Sequence, residues 1–166
     1  MNIETHSFSR TYKLGRKFGE NISKNKYSNN FIFTLDGELG SGKTAFVSGL
    51  AAGLGVDGPV LSPSFTIVKE YKTSGYSLFH IDLYRLFSDS DLMSFDFYEY
   101  LSSDMFVMAI EWANKFGDMN YLPPLPTVNI KILSDAEKDE NFRAFKFKFK
   151  NFDSEMKKAI ASGVEK

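Results

Sequence analysis

The chain has 166 residues, 43% of them apolar and 25% charged, with a formal net charge of −1. These values fit one globular domain with a sizeable core. They argue against a disordered or fibrous chain and against a whole-molecule basic field for grasping nucleic acid. With no cysteine and two histidines, disulfides, cysteine nucleophiles, Cys-ligated zinc and iron–sulfur clusters are excluded.

Arginine is scarce: Arg10, Arg16, Arg85 and Arg143 are the four among 20 basic residues, while 17 phenylalanines dominate the expected core. No run of about 18 apolar residues occurs, and residues 1–10 lack the apolar region of a signal peptide. The expectation is a cytoplasmic protein with no membrane partner. In chain order, residues 9–24 read as a helix, with Tyr12, Leu14, Phe18 and Ile22 near helical spacing and Ser9 as N-cap. Residues 31–36 form a short apolar run bounded by Gly37, the pattern of a buried strand, and a helix is expected over 43–54, ending at Gly55. Residues 65–71 and 76–83 flank Lys72-Thr73-Ser74-Gly75 and read as a hairpin. A helix or two short turns is expected over 89–101, and a buried strand over 106–111. Residues 127–133 and 144–150 read as two further strands joined by a charged turn. Residues 153–160 read as a last helix or the start of a flexible tail. The fold class expected is α/β: a single P-loop NTPase domain over 1–166, with a central, mostly parallel sheet flanked by helices and an antiparallel C-terminal hairpin.

Gly37, Glu38, Leu39, Gly40, Ser41, Gly42, Lys43 and Thr44 satisfy G-x-x-x-x-G-K-[ST] between a strand and a helix, where the mechanism needs it. Glycines let backbone N–H groups approach phosphate, and the helix N-terminus adds partial positive charge. Lys43, read as an exposed ammonium, would meet the β- and γ-phosphates, and the Thr44 hydroxyl would meet Mg²⁺. Two carboxylates compete for the remaining metal or water role: Glu111, which ends its strand, and Asp82. His80, Asp82 and Tyr84 alternate with Phe79, Ile81 and Leu83. That polar face is either the solvated side of an edge strand or a catalytic face. Residues 62–66 read either as a polar loop and nothing more or as a loop whose hydroxyls, Ser62, Ser64 and Thr66 following a turn, sense a γ-phosphate. Trp112 follows Glu111 as a core or rim residue, or as a reporter of that change. Phe145, Phe147 and Phe149 alternate with Lys146, Lys148 and Lys150. This suits an edge strand with one core face, or a basic strip for tRNA or an acidic partner.

The P-loop, then Ser-Pro-Ser-Phe-Thr-Ile-Val over 62–68, then His80-Ile-Asp82-Leu-Tyr-Arg85, then a strand ending in Glu111-Trp112, together resemble the TsaE family of bacterial P-loop ATPases. The order and spacing match from about Thr11 to about Ile132. The resemblance implies a small α/β domain that binds ATP and Mg²⁺ and hydrolyses ATP slowly. It implies assembly with the two sugar-kinase-like proteins that transfer threonylcarbamoyl to adenosine in tRNA, so that tRNA is met through the complex. It further implies that Lys43 and Thr44 contact phosphate and metal, that Glu111 is the Walker B acid, that Asp82 is the acid of the second motif and that Thr66 is the switch threonine. The segment around Phe8 to Thr11 lies where the family places adenine. Ala113-Asn114 and Asp96 depart from the family pattern at positions that bear on partner contacts. Rival readings are a GTPase, a small-molecule kinase and a nucleotide-sensing module without turnover. Asn114-Lys115-Phe116-Gly117-Asp118 is one residue too long for the guanine motif, and lid arginines for a kinase are lacking. With no arginine finger evident, ATP is read as a conformational switch rather than a phosphoryl donor.

Overall fold

Two stretches of period-two apolar residues and two fully apolar runs are drawn together into one seven-stranded sheet, of order β1-β7-β6-β2-β5-β4-β3. The computed structural model describes residues 1–166 except 26, 28, 89, 92–96, 118–120, 136–138 and 165–166. The strands are β1 (Asn2–Thr5), β2 (Phe31–Asp36), β3 (Val68–Lys72), β4 (Ser77–Asp82), β5 (Phe106–Glu111), β6 (Thr127–Ser134) and β7 (Arg143–Lys150). The helices are α1 (Phe8–Asn25), α2 (Lys43–Leu54), the short α3 (Phe97–Tyr100) and α4 (Ser154–Ile160). The sheet is parallel in its centre, where β2 lies between β5 and β6 and β5 also pairs β4. It is antiparallel at both sides: β3 on β4, β7 on β6 and β1 on β7.

Phe31, Phe33 and Leu35 of β2 face α1 and α2, packing with Phe18, Phe46, Phe145 and Phe147 in one core. The alternate residue Ile32 joins Phe79, Ile81, Phe106, Met108 and Ile110 in a second core on the opposite face. Strands buried on both faces read as unbroken apolar runs, as β2 and β5 do. α2 ends where Gly55 takes a left-handed conformation (φ 92°) and its N–H meets the carbonyls of Ala51 and Ala52.

The structure decides several of these readings. β4 is an interior strand between β3 and β5, so its polar face is not solvated; His80 and Asp82 are buried. β7 is not an edge either, because the unforeseen β1 covers it. Residues 65–67 belong to a loop rather than to the hairpin. Of the two readings for residues 153–160, the structure has the last helix: Asp153 caps α4, Met156 and Ile160 are buried, and Asn21 of α1 donates to the carbonyls of Ile160 and Ser162. Of the helix expected over 89–101, residues 89 and 92–96 fall outside the described residues, Asp96 among them; α3 is the described helix at its end.

Candidate functional site

The C-terminal ends of β2, β4 and β5 converge on one cleft of about 480 Å³. Open parallel sheets place ligands there. The loop from Gly37 to Gly42 crosses its floor and feeds α2. Gly40 and Gly42 sit at φ 75° and 98°, conformations that favour glycine. Gly37 is needed for space: a Cβ there would lie 2.7 Å from the Ile132 carbonyl oxygen.

Lys43 is buried, not exposed as the sequence suggested. Its Nζ donates to the carbonyls of Gly37 and Glu38, both at 2.8 Å, and lies 3.9 Å from the centroid of the Trp112 ring. Burial pushes its pKa below the usual lysine value, against the carboxylates of Glu111, Asp82 and Asp36, which favour the charge. Trp112 holds this position from a left-handed backbone (φ 63°), a strained conformation for a bulky residue.

The two carboxylates are neighbours in the sheet, Asp82 opposite Glu111 across the β4–β5 ladder. Each is fixed by its own donors. Glu111 Oε1 accepts from Thr44 Oγ1 at 2.9 Å and from His80 Nε2 at 2.8 Å. Asp82 Oδ2 accepts from Ser62 Oγ at 2.7 Å and Ser64 Oγ at 2.6 Å, and Oδ1 from the Tyr84 N–H at 3.0 Å. Lys43, Thr44, Asp82 and Glu111 therefore share one cleft, as their spacing suggested. Thr66 does not line that cleft. It is exposed, and its N–H donates to the Pro63 carbonyl. The next residue, Ile67, is strained at φ 65°, and its carbonyl accepts from the Asp82 N–H. Of the segment implied for adenine, Thr11 is buried beside Gly42, its Oγ1 2.8 Å from that of Thr5, while Phe8 is exposed and stacks on Tyr12.

Three further residues reach the site. Arg85 sets its guanidinium over the Phe65 ring at 4.4 Å, on the cleft rim. Arg143 donates to the Gly40 carbonyl at 3.1 Å, tying β7 to the tip of the loop. His80 bonds Glu111 from within the sheet. The scarcity of arginine was a usable signal for Arg143; the sequence neighbours of His80 gave none for its partner on β5.

A glycine loop between a central parallel strand and its helix, facing a threonine-bound acid on the adjacent strand, defines a P-loop domain. The comparisons narrow that class. Residues 5–143 match the family model described as "Threonylcarbamoyl adenosine biosynthesis protein TsaE". The chain is 35% identical over 129 residues to the tRNA threonylcarbamoyladenosine biosynthesis protein TsaE of Haemophilus influenzae, covering 77% of this chain and 80% of that one. It is 39% identical over 113 residues to the TsaE of Bacillus subtilis, covering 68% and 69%. The crystal structure of Bacillus subtilis YdiB superposes with a TM-score of 0.69 at 25% identity, over 97% of this chain and 93% of that one. The chain belongs to the TsaE family, whose members take part in making threonylcarbamoyladenosine on tRNA. Among the described residues, no helix is long and apolar enough to cross a membrane.

Proposed function

We propose that this protein binds ATP with Mg²⁺, hydrolyses it slowly, and acts with the two sugar-kinase-like proteins of threonylcarbamoyl transfer, its nucleotide state serving as a conformational switch. The observation that carries the nucleotide part is the hydroxyl of Thr44, the first turn of α2, held on Glu111 beside Asp82 in the cleft above the glycine loop. This donor set fits Mg²⁺, which takes hard oxygen ligands: a hydroxyl and one or two carboxylates converge, with nucleotide phosphates to supply the rest. No group of three or more His, Asp or Glu side chains able to hold a metal alone occurs among the described residues, which suits a metal that arrives with its nucleotide.

In this reading the backbone N–H groups of residues 40–44 hold the phosphates. The Lys43 ammonium exchanges the carbonyls of Gly37 and Glu38 for phosphate oxygens. Thr44 with Glu111 or Asp82 would hold Mg²⁺, which would supply charge neutralisation to the nucleotide phosphates. Glu111 or Asp82 orients the attacking water, and the other carboxylate holds the metal directly or through water. Arg85 rests on Phe65 at the rim, so a partner's completion of the site is the expected route to faster turnover.

Calorimetry and a phosphate-release assay test the reading. Lys43→Ala is expected to weaken ATP binding at least about tenfold, and Glu111→Gln to keep binding while lowering kcat about 10²-fold. Unchanged binding and turnover in both variants would overturn it. ATP binding with no turnover, alone or with the partner pair, would leave only a nucleotide-sensing module.

A further inference from the structure

His80 is fully buried on β4, two residues before Asp82, paired with Lys69 of β3 and Ala109 of β5. An apolar side chain would fill that space without desolvating two ring nitrogens. One of them, Nδ1, is buried and has no hydrogen-bond partner among the described residues. Buried polar atoms are rarely left so, and one that is calls for a reason. The reason lies at the other end of the ring, where Nε2 stands 2.8 Å from Glu111 Oε1. An ionised carboxylate only accepts, so Nε2 is the donor.

Terminal torsions of glutamate are broad and soft, so a lone carboxylate swings. Here Oε1 is held from two sides, by His80 within the sheet and by Thr44 from α2. Oε2 shares only the Thr44 hydroxyl, at 3.2 Å. We infer that His80 is a positioning residue that locks Oε1 of Glu111 and so presents Oε2 to the metal or water in the cleft. This rests on the proposed role of Glu111 in ATP hydrolysis. The strand geometry supports it. With Asp82 opposite Glu111, His80 is one pleat back on the same face, the place from which a ring can reach the glutamate without entering the cleft.

The test compares His80→Leu, which keeps bulk and loses the donor, with His80→Gln, whose amide nitrogen can donate from a similar reach. Three quantities are read on each: the thermal melt, ATP affinity by calorimetry with and without Mg²⁺, and kcat. Metal-free ATP affinity is expected within about twofold of wild type in both. His80→Leu is expected to lose about 10- to 100-fold in kcat or in the gain of affinity that Mg²⁺ brings, the usual effect of removing such a supporting partner, and His80→Gln to recover most of it. In a Glu111→Gln background, His80→Leu should add no further loss in kcat. A folded His80→Leu with wild-type kcat and Mg²⁺ dependence overturns the inference. So do equal losses in both variants, or a failure of both to fold, since each marks a purely structural role. Wild-type protein that binds no ATP overturns the proposed function and this inference with it. Wild-type turnover with an unaffected His80→Leu overturns the inference alone.

Discussion

Asp36, at the end of β2, shows at residue scale what burial does to charge. Its Oδ1 accepts from the Asn114 N–H at 2.9 Å, yet burial raises its pKa above the ordinary 3.8, despite that bond and the nearby Lys43 and Lys131. The folded carboxyl thus holds its proton more tightly than the unfolded one. Ionising it costs stability, which falls as pH rises from 3.8 through the folded pKa and stays lower above it. Asp36→Asn removes that cost and keeps a carbonyl oxygen for Asn114. Its melting temperature at pH 7 is expected to equal or exceed that of wild type, with any advantage shrinking as pH falls toward 3.8. A drop of more than about 3 °C at pH 7, roughly 1 kcal/mol for a domain of this size, would show that burial is not what governs Asp36. Residue types and spacing singled out Lys43, Thr44, Asp82 and Glu111, and the structure sets all four in one cleft. The roles of Ser62, Ser64 and His80 were not legible to the same degree. Their meaning is a hydrogen bond to a residue 20, 18 and 31 positions away, respectively.

Between α1 and α2 the backbones touch. A Cβ on Gly15 or Gly19 would meet the carbonyl oxygens of Phe46 and Leu50 at 2.0 and 2.3 Å. A Cβ on Gly49 or Gly53 would meet those of Tyr12 and Arg16 at 1.9 and 2.2 Å. Four glycines, two per helix at four-residue spacing, thus let α2 lie against α1, and α2 carries Lys43 and Thr44. α2 cannot shift to relieve a new methyl group without moving the glycine loop it continues. Gly49→Ala is expected to destabilise by about 3 kcal/mol or more, the upper end for overpacking, and to lower the melting temperature by about 10 °C. Gly75→Ala, with nothing within 4 Å of its Cβ, serves as the control and should stay within about 0.5 kcal/mol. A Gly49→Ala melt matching that control would mean the helices separate freely. The pattern is invisible in a one-dimensional reading, where a mid-helix glycine only weakens the helix. The same limit holds for the strands. β1 is four residues with one apolar position, so nothing announced that it would cover β7. Whether β4 is an edge stayed open because a single strand does not display its neighbours, whereas the turn residues at 72–75 correctly announced its antiparallel pairing with β3.

The whole molecule joins its cleft to its surface through one loop. Ser62 and Ser64 bind Asp82, and Ile67 is held strained with its carbonyl on the Asp82 N–H, so residues 62–67 are anchored to β4 at both ends. Phe65 is carried between these anchors and is 83% exposed, on the same rim as Leu39 at 78%. Under the proposed switch, a γ-phosphate and its metal compete with the serine hydroxyls for Asp82. The loop then rearranges, and the apolar rim offered to a partner changes shape. A ligand shifts such an equilibrium only by its differential affinity for the two states, and the effect on a second ligand is reciprocal. The partner pair is therefore expected to bind the ATP-loaded and ADP-loaded protein with affinities differing by about tenfold or more, about 1.4 kcal/mol of coupling. The Ser62→Ala, Ser64→Ala double variant removes the tether while leaving the glycine loop, Lys43 and Glu111 untouched. It should bind ATP as wild type does and lose most of that tenfold difference. Affinity of the immobilised pair for each nucleotide state, measured side by side for wild type and the double variant, decides the matter. Equal affinities for wild type in both states would remove the switch. A preserved difference in the double variant would mean that the signal leaves the site by another route, through Trp112 on Lys43 or through Arg143 on Gly40.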